Sequence, residues 1–154
     1  DKKIIKKIDI KSYFFNYGWN VNKRLKNINK EFNIIKNKHI DKCFSEYDLI
    51  ICGWPSTTLL ESISLNIPTI SLFSIKDQNY NSKAKKIYEK LKKINVIFEN
   101  PKKASNYLNN YSDNLLNDWY NINTQKILSQ FRENVATRGI NYKDDLEKII
   151  KNFK

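Results

Sequence analysis

Gly53, Trp54, Ser56, Thr57, Thr58 and Glu61 crowd chemistry-bearing side chains into one short stretch of the chain. Three consecutive hydroxyls at a helix start would lie beside backbone N–H groups that have no partner within the helix. The positive end of the helix dipole favours an anion there by about 0.3–1 kcal/mol. Such a start can hold two phosphates without an arginine, which points to a nucleotide diphosphate. Gly53 is expected to let the backbone turn sharply out of a strand, and Pro55 to fix the entry into the helix. Trp54 offers an aromatic face to a base or a sugar. Glu61 is the candidate catalytic carboxylate, and Asp77, in a polar loop, is a second acid that could meet a sugar hydroxyl. Each has a plainer reading. Thr58-Leu59-Leu60-Glu61 also fits a capping box, and a loop acid such as Asp77 is by default solvated.

The elements around the motif explain where it would sit. Asp48–Cys52 is a continuous apolar run of strand length, expected to be covered on both faces. Ser56–Leu65 reads as a helix that turns Leu59, Leu60 and Ile63 to a sheet. Asn66 suits the left-handed cap that ends it, and Pro68 prevents its continuation. Thr69–Phe73 is a second buried strand. Further along come helices at 83–93 and from Pro101, with a short strand at 96–98 between them. A long helix follows over 113–135, with an apolar face including Leu115, Leu116, Trp119, Ile122 and Phe131, and a last helix over 143–153. Before the motif, a short strand is expected near the start, a short surface helix or loop at 23–30, a strand at 32–36 and a helix at 39–47. Alternating strands and helices imply α/β architecture: a Rossmann-like, mostly parallel sheet flanked by helices, with C-terminal helices packing back. No linker divides the 154 residues, so they read as one domain, 1–154.

The net charge is +12, yet the only arginines are Arg24, Arg132 and Arg138, and lysine makes up the rest of the 28 basic residues. Base-edge and phosphate readers lean toward arginine, so no nucleic-acid partner is expected. A lysine-rich surface suits peripheral attraction to an anionic membrane instead. With 40% hydrophobic residues the chain can form a core. Cys43 and Cys52 lie in apolar periodic segments and read as free thiols of a reducing cytoplasm. No apolar run is long enough to span a bilayer. No ligand spacing suggests a metal and no tightly bound cofactor is expected; neither G-x-x-x-x-G-K-[ST] nor G-x-G-x-x-G occurs. His39, the only histidine, opens a helix ahead of its apolar stripe and suits a surface or capping role. Trp19 either lines a pocket or packs against the sheet, and Trp119 belongs to the core.

Thr58-x-x-Glu61 followed by Asn66-x-Pro68-Thr69-Ile70 resembles the donor-binding half of GT-B glycosyltransferases. In them a small-residue loop and helix start meet the nucleotide diphosphate, and a Glu in the helix reaches ribose or sugar hydroxyls. More narrowly, the chain is similar to a bacterial group of surface-carbohydrate biosynthesis transferases. Their elements appear here as Tyr17-Gly18-Trp19, Ser56-Thr57-Thr58 with Glu61, Asn66-Ile67-Pro68-Thr69-Ile70, Pro101-Lys102-Lys103-Ala104, Trp119-Tyr120 and Phe131. The resemblance runs from about Tyr13 to Ala136. Two departures stand near the ligand: Gly53-Trp54-Pro55 replaces a usual Thr-Tyr-Asn, and Phe73-Ser74 replaces an aromatic pair.

The resemblance implies the C-terminal half of a GT-B fold. Its donor substrate would be a nucleotide-diphosphate sugar, its acceptor a glycan or lipid-linked molecule of the cell surface, and its place the cytoplasm or the inner face of the plasma membrane. Ser56, Thr57 and Thr58 would hold the diphosphate and Glu61 would orient ribose or sugar. A two-lobed enzyme needs about twice this length, and the chain opens on Asp1, so an acceptor lobe ahead of it is one expectation. A non-catalytic module that binds a partner or membrane through its lysines is the other.

Overall fold

In a computed structural model, which describes residues 8–13, 15, 17–36, 38–111 and 115–135, the chain divides into two units, Asp1–Tyr47 and Asp48–Lys154. The first unit pairs β1 (Asp9–Ile10) with β2 (Asn33–Ile34) in parallel, Asp9 opposite Asn33 and Ile10 opposite Ile34. Between them lies α1 (Val21–Ile28), which has no fully buried residue. The Asp9 carboxylate ties the unit together. One oxygen accepts from the Asn33 amide at 2.7 Å and the other from the Tyr47 hydroxyl at 2.6 Å. Those donors, Tyr47 first, hold the Asp9 carboxyl below its ordinary range, and the same bond pushes the Tyr47 hydroxyl up to about 12.

Two expectations for this unit change. The strand foreseen at 32–36 shrinks to the two residues of β2. The helix foreseen over 39–47 is instead two 3₁₀ turns, Ile40–Lys42 and Phe44–Glu46, which bury Cys43 and Phe44. The spacing of Ile40 and Cys43 is three, the repeat of a 3₁₀ turn, so the apolar pattern suits this tighter form equally well.

The second unit runs β3 (Ile50–Cys52), α2 (Thr57–Ser64), β4 (Thr69–Leu72), α3 (Ser82–Lys93), β5 (Ile97–Phe98), α4 (Pro101–Tyr111), α5 (Leu115–Tyr120) and α6 (Ile122–Asn134). Its strands form one parallel sheet in the order β3-β4-β5. Ile50 faces Thr69 across the first pair, and Ser71 faces Ile97 across the second. The expected α/β, Rossmann-like class therefore holds. Both crossovers step the same way along the sheet, so their common hand places α2 and α3 on one face. There α6 packs against both.

Leu59, Ile63, Leu91, Leu128 and Phe131 are fully excluded from solvent in the shared core, each worth about 1.5–3 kcal/mol of burial. Tyr88 stacks on Tyr80 at 4.3 Å and meets Phe131 edge-on at 5.5 Å. At the far end of α2, Asn66 takes the left-handed conformation foreseen for it, φ 58°. Trp119 is buried as expected, and its indole N–H donates to both the backbone and side-chain oxygens of Asn66 at 3.2 Å. Arg132 adds bonds from its guanidinium to Asn66 Oδ1 and Ile63 O, each 3.3 Å.

Here too the structure corrects the sequence. β3 is not covered on both faces: Ile51 is 45% exposed, because β3 is an edge strand of the three. The long helix foreseen over 113–135 breaks at Asn121, whose side chain accepts the N–H of Asn123 at 2.8 Å and starts α6 afresh. The break re-phases the apolar stripe, and Leu116 and Ile122 face solvent, Ile122 at 82%. Residues 113 and 114 and the helix foreseen over 143–153 lie outside the described residues.

Candidate functional site

The three helix starts that follow β3, β4 and β5 lie at the carboxyl edge of the sheet, where open α/β sheets receive ligands. The start of α2 differs from the other two in how its donors are used. Asn81 caps α3 by accepting the N–H of Ala84 at 2.8 Å, and Asn100 accepts from Lys102 at 2.8 Å and Lys103 at 3.3 Å at the start of α4. Ser56 occupies the cap position of α2, and its hydroxyl makes no cap hydrogen bond. The N–H groups of Thr57 and Thr58 have no acceptor among the described residues. Thr57 is exposed, and Ser56 and Thr58 are half-buried.

The local chain explains this geometry. Pro55 forms a tight turn in which the Ser56 N–H donates to Trp54 O at 2.8 Å. The turn throws Trp54 outward, 61% exposed. Gly53 is exposed too, but its role differs from the one foreseen. Its backbone lies outside the left-handed region, and a Cβ built on it would meet nothing within 4 Å. The turn itself does not demand glycine; the space above Gly53 is simply open. The capping box also fails. With Ser56 as cap, the reciprocal position is Leu59, so Glu61 is two residues too far along. Glu61 instead stands exposed, four residues after Thr57 and three after Thr58, and so on their face of the helix.

Asp77 is exposed in the turn after β4, at the neighbouring position along the same edge. No hydrogen bond joins it to the α2 start among the described residues. The turn is fixed by a residue the sequence did not single out. Glu99, just past β5, accepts the backbone N–H of Ile75 at 3.2 Å and pairs with Lys92. The Lys92 ammonium, aided by the Ile75 N–H, holds the Glu99 carboxyl below its usual range. Only the strand order could have revealed this, since Ile75 and Glu99 lie 24 residues apart.

Cys52, directly before Gly53, is no nucleophile. Burial pushes its thiol up to about 11, which keeps it protonated and inert. Its backbone carbonyl accepts from Ser71 Oγ at 3.3 Å across the sheet. His39 lies in the first unit, at the surface, with its ring nitrogen 2.9 Å from Asp41. Trp19 is 67% exposed, not packed on a sheet. Among the described residues no three His, Cys, Asp or Glu side chains gather as metal ligands, and no helix is long and apolar enough to cross a membrane.

Two cavities lie elsewhere on the second unit. One, about 20 Å³, is lined by Pro68, Ile70, Val96, Tyr107 and Trp119 and has room for a water molecule. The other is an open groove of about 480 Å³ between α3 and α6, bordered by Lys83, Lys86 and Lys90. Neither touches Gly53–Thr58.

No curated protein and no solved structure matches the chain. A family model described as LIC12162 family transferase matches residues 1–150. That span takes in the α2 start, Glu61, Asp77 and nearly all of the chain. The chain belongs to the LIC12162 family of transferases.

Proposed function

We propose that this transferase chain is the donor-binding domain of a GT-B-type enzyme that moves a sugar, or a related group, from an activated nucleotide to a cell-surface glycan. The observation that carries the reading is the α2 start. Ser56 leaves its hydroxyl unused, and the Thr57 and Thr58 N–H groups stand beside it at the open carboxyl edge. On this reading Ser56, Thr57 and Thr58 hold the diphosphate, and the helix start stabilises it as it departs. Glu61, one turn along the same face, orients ribose or sugar. Trp54 stacks on the base or sugar, and Gly53 leaves room for the ligand to approach the backbone. Asp77 meets a sugar hydroxyl from the turn that Glu99 holds in place. The donor is a nucleotide-diphosphate sugar and the acceptor a glycan or lipid-linked molecule, met in the cytoplasm at the inner membrane face. The 154 residues then serve as one donor-binding domain of a two-lobed enzyme.

Calorimetry with UDP and CDP tests this directly. The parent chain is expected to bind one of them, and Ser56→Ala/Thr57→Ala to abolish the signal. Lys85→Gln and Lys93→Gln, which change the surface charge alone, leave it intact. The same double variant should alter stability by less than about 0.5 kcal/mol, because Ser56 caps nothing; an ordinary cap would cost about 0.5–2 kcal/mol. Equal nucleotide binding by parent and double variant removes the reading.

A further inference from the structure

We propose that the row of Tyr13, Phe15, Tyr17 and Trp19 is the surface by which this chain docks on an anionic lipid bilayer. Tyr13, Phe15, Tyr17 and Trp19 alternate along the segment and are 66%, 55%, 64% and 67% exposed. They touch one another in sequence: Tyr13 and Tyr17 stack at 6.1 Å, Phe15 and Tyr17 tilt at 5.8 Å, and Tyr17 and Trp19 tilt at 5.8 Å. The result is a continuous row of rings turned to solvent. Tyr17, Gly18 and Asn20 all take positive φ, at 44°, 77° and 49°. Glycine and asparagine adopt that conformation readily, but at Tyr17 it is unfavourable, and strain of this kind gathers where a surface is held in a working shape.

Charge identifies the occupant. Residues 1–47 carry twelve Lys and Arg against five Asp and Glu, while the remaining 107 residues carry sixteen against eleven. Ser12 Oγ donates to Asn22 Oδ1 at 2.8 Å, which ties the aromatic segment to the first turn of α1. Lys23 and Arg24 are exposed on that turn. A row of Tyr, Phe and Trp rings, tied to a turn that exposes Lys23 and Arg24, suits the bilayer interface, where such rings sit at headgroup depth and lysines meet anionic lipid. A glycan platform of the same rings would need carboxylates and amides aimed at sugar hydroxyls. The nearby Asp9 carboxylate is already engaged by Asn33 and Tyr47. This inference uses residues outside β3 and α2, so it stands or falls apart from the donor site.

Cosedimentation of the full chain with phosphatidylcholine vesicles, with and without phosphatidylglycerol, decides the matter. Binding is expected to require phosphatidylglycerol and to weaken with salt. Tyr17→Ser/Trp19→Ser should reduce it about tenfold or more by removing two interfacial rings, and Lys23→Gln/Arg24→Gln about tenfold. These positions are exposed, so unchanged thermal melting and an unchanged far-ultraviolet circular-dichroism spectrum show that each variant is folded. The proposal is overturned if phosphatidylglycerol vesicles do not carry the chain down, or if the aromatic variant sediments like the parent. It is equally overturned if the aromatic variant loses binding to soluble oligosaccharide, or loses a dimer seen in sedimentation, while vesicles capture neither protein.

Discussion

The residues up to Tyr47 and those from Asp48 onward hold parallel strands together by different means. In the first unit β1 and β2 share two residue pairs, and surface side chains do the fastening: Asp9 to Asn33 and Tyr47, and Lys38 to Glu46. In the second, strands and helices close over Leu59, Leu91, Leu128 and Phe131, and among the described residues the buried side-chain polar atoms are all partnered. Burial of carbon does not titrate, whereas hydrogen bonds to ionised groups do. The first unit should therefore respond to pH and salt, and the second to the loss of apolar volume.

The largest test of that contrast is truncation of apolar side chains. Phe131→Ala in the second unit should cost about 3–5 kcal/mol, and Ile28→Ala on exposed α1 less than about 0.5 kcal/mol. Urea denaturation of both variants checks this, and similar costs would erase the distinction. Next comes Trp119→Phe. It keeps an aromatic ring in the core but deprives both Asn66 oxygens of the indole N–H. A loss of about 1–3 kcal/mol is expected, with Arg132 limiting it.

Glu99 sharpens the comparison because it brings a titrating group to the rim of the apolar unit. Glu99→Ala leaves the Ile75 N–H without its acceptor and should cost about 1–3 kcal/mol. Glu99→Gln keeps an acceptor and loses a screened surface ion pair, for less than about 1 kcal/mol. The Glu99 carboxyl is held below its ordinary value of 4.5 by the Lys92 ammonium and the Ile75 N–H. Its stabilisation is thus complete above that value and disappears as pH falls through the lower folded value. Acid melting curves of Glu99→Gln and parent should converge there.

The smallest effect belongs to the first unit. The Tyr47 hydroxyl is raised from 10.0 to about 12, so the neutral form is favoured by folding. Its contribution is full below 10.0 and is lost as pH climbs toward about 12. Tyr47→Phe should remove that alkaline phase from a circular-dichroism titration. An unchanged alkaline transition in Tyr47→Phe would show that Asp9 and Tyr47 do not fasten the unit.

The same division sets what could be read from the sequence. β3, α2, the Asn66 turn and β4 were legible because each is written locally, in apolar runs, hydroxyls, Asn66 and Pro68. The break at Asn121 was not, since an apolar stripe every three or four residues continues across it and one side-chain bond decides the outcome. Ile51 misled because apolar strands of central and edge position look alike. At the candidate site the hydroxyls and Glu61 were visible as residue types. What escaped was that the Ser56 hydroxyl at the cap position makes no cap hydrogen bond, and that Glu99 fixes the turn bearing Asp77. Both depend on partners fixed only in three dimensions.

The clamp on Asn66 has a consequence for how the protein is made. Trp119 and Arg132, which grip the end of α2, are synthesised 53 and 66 residues after Asn66. On the ribosome the ledge formed by Ser56 is exposed long before the indole and guanidinium that steady its helix leave the exit tunnel. Chains truncated before Trp119 should thus be less stable than chains that extend past Arg132, by the loss of the bonds to Asn66.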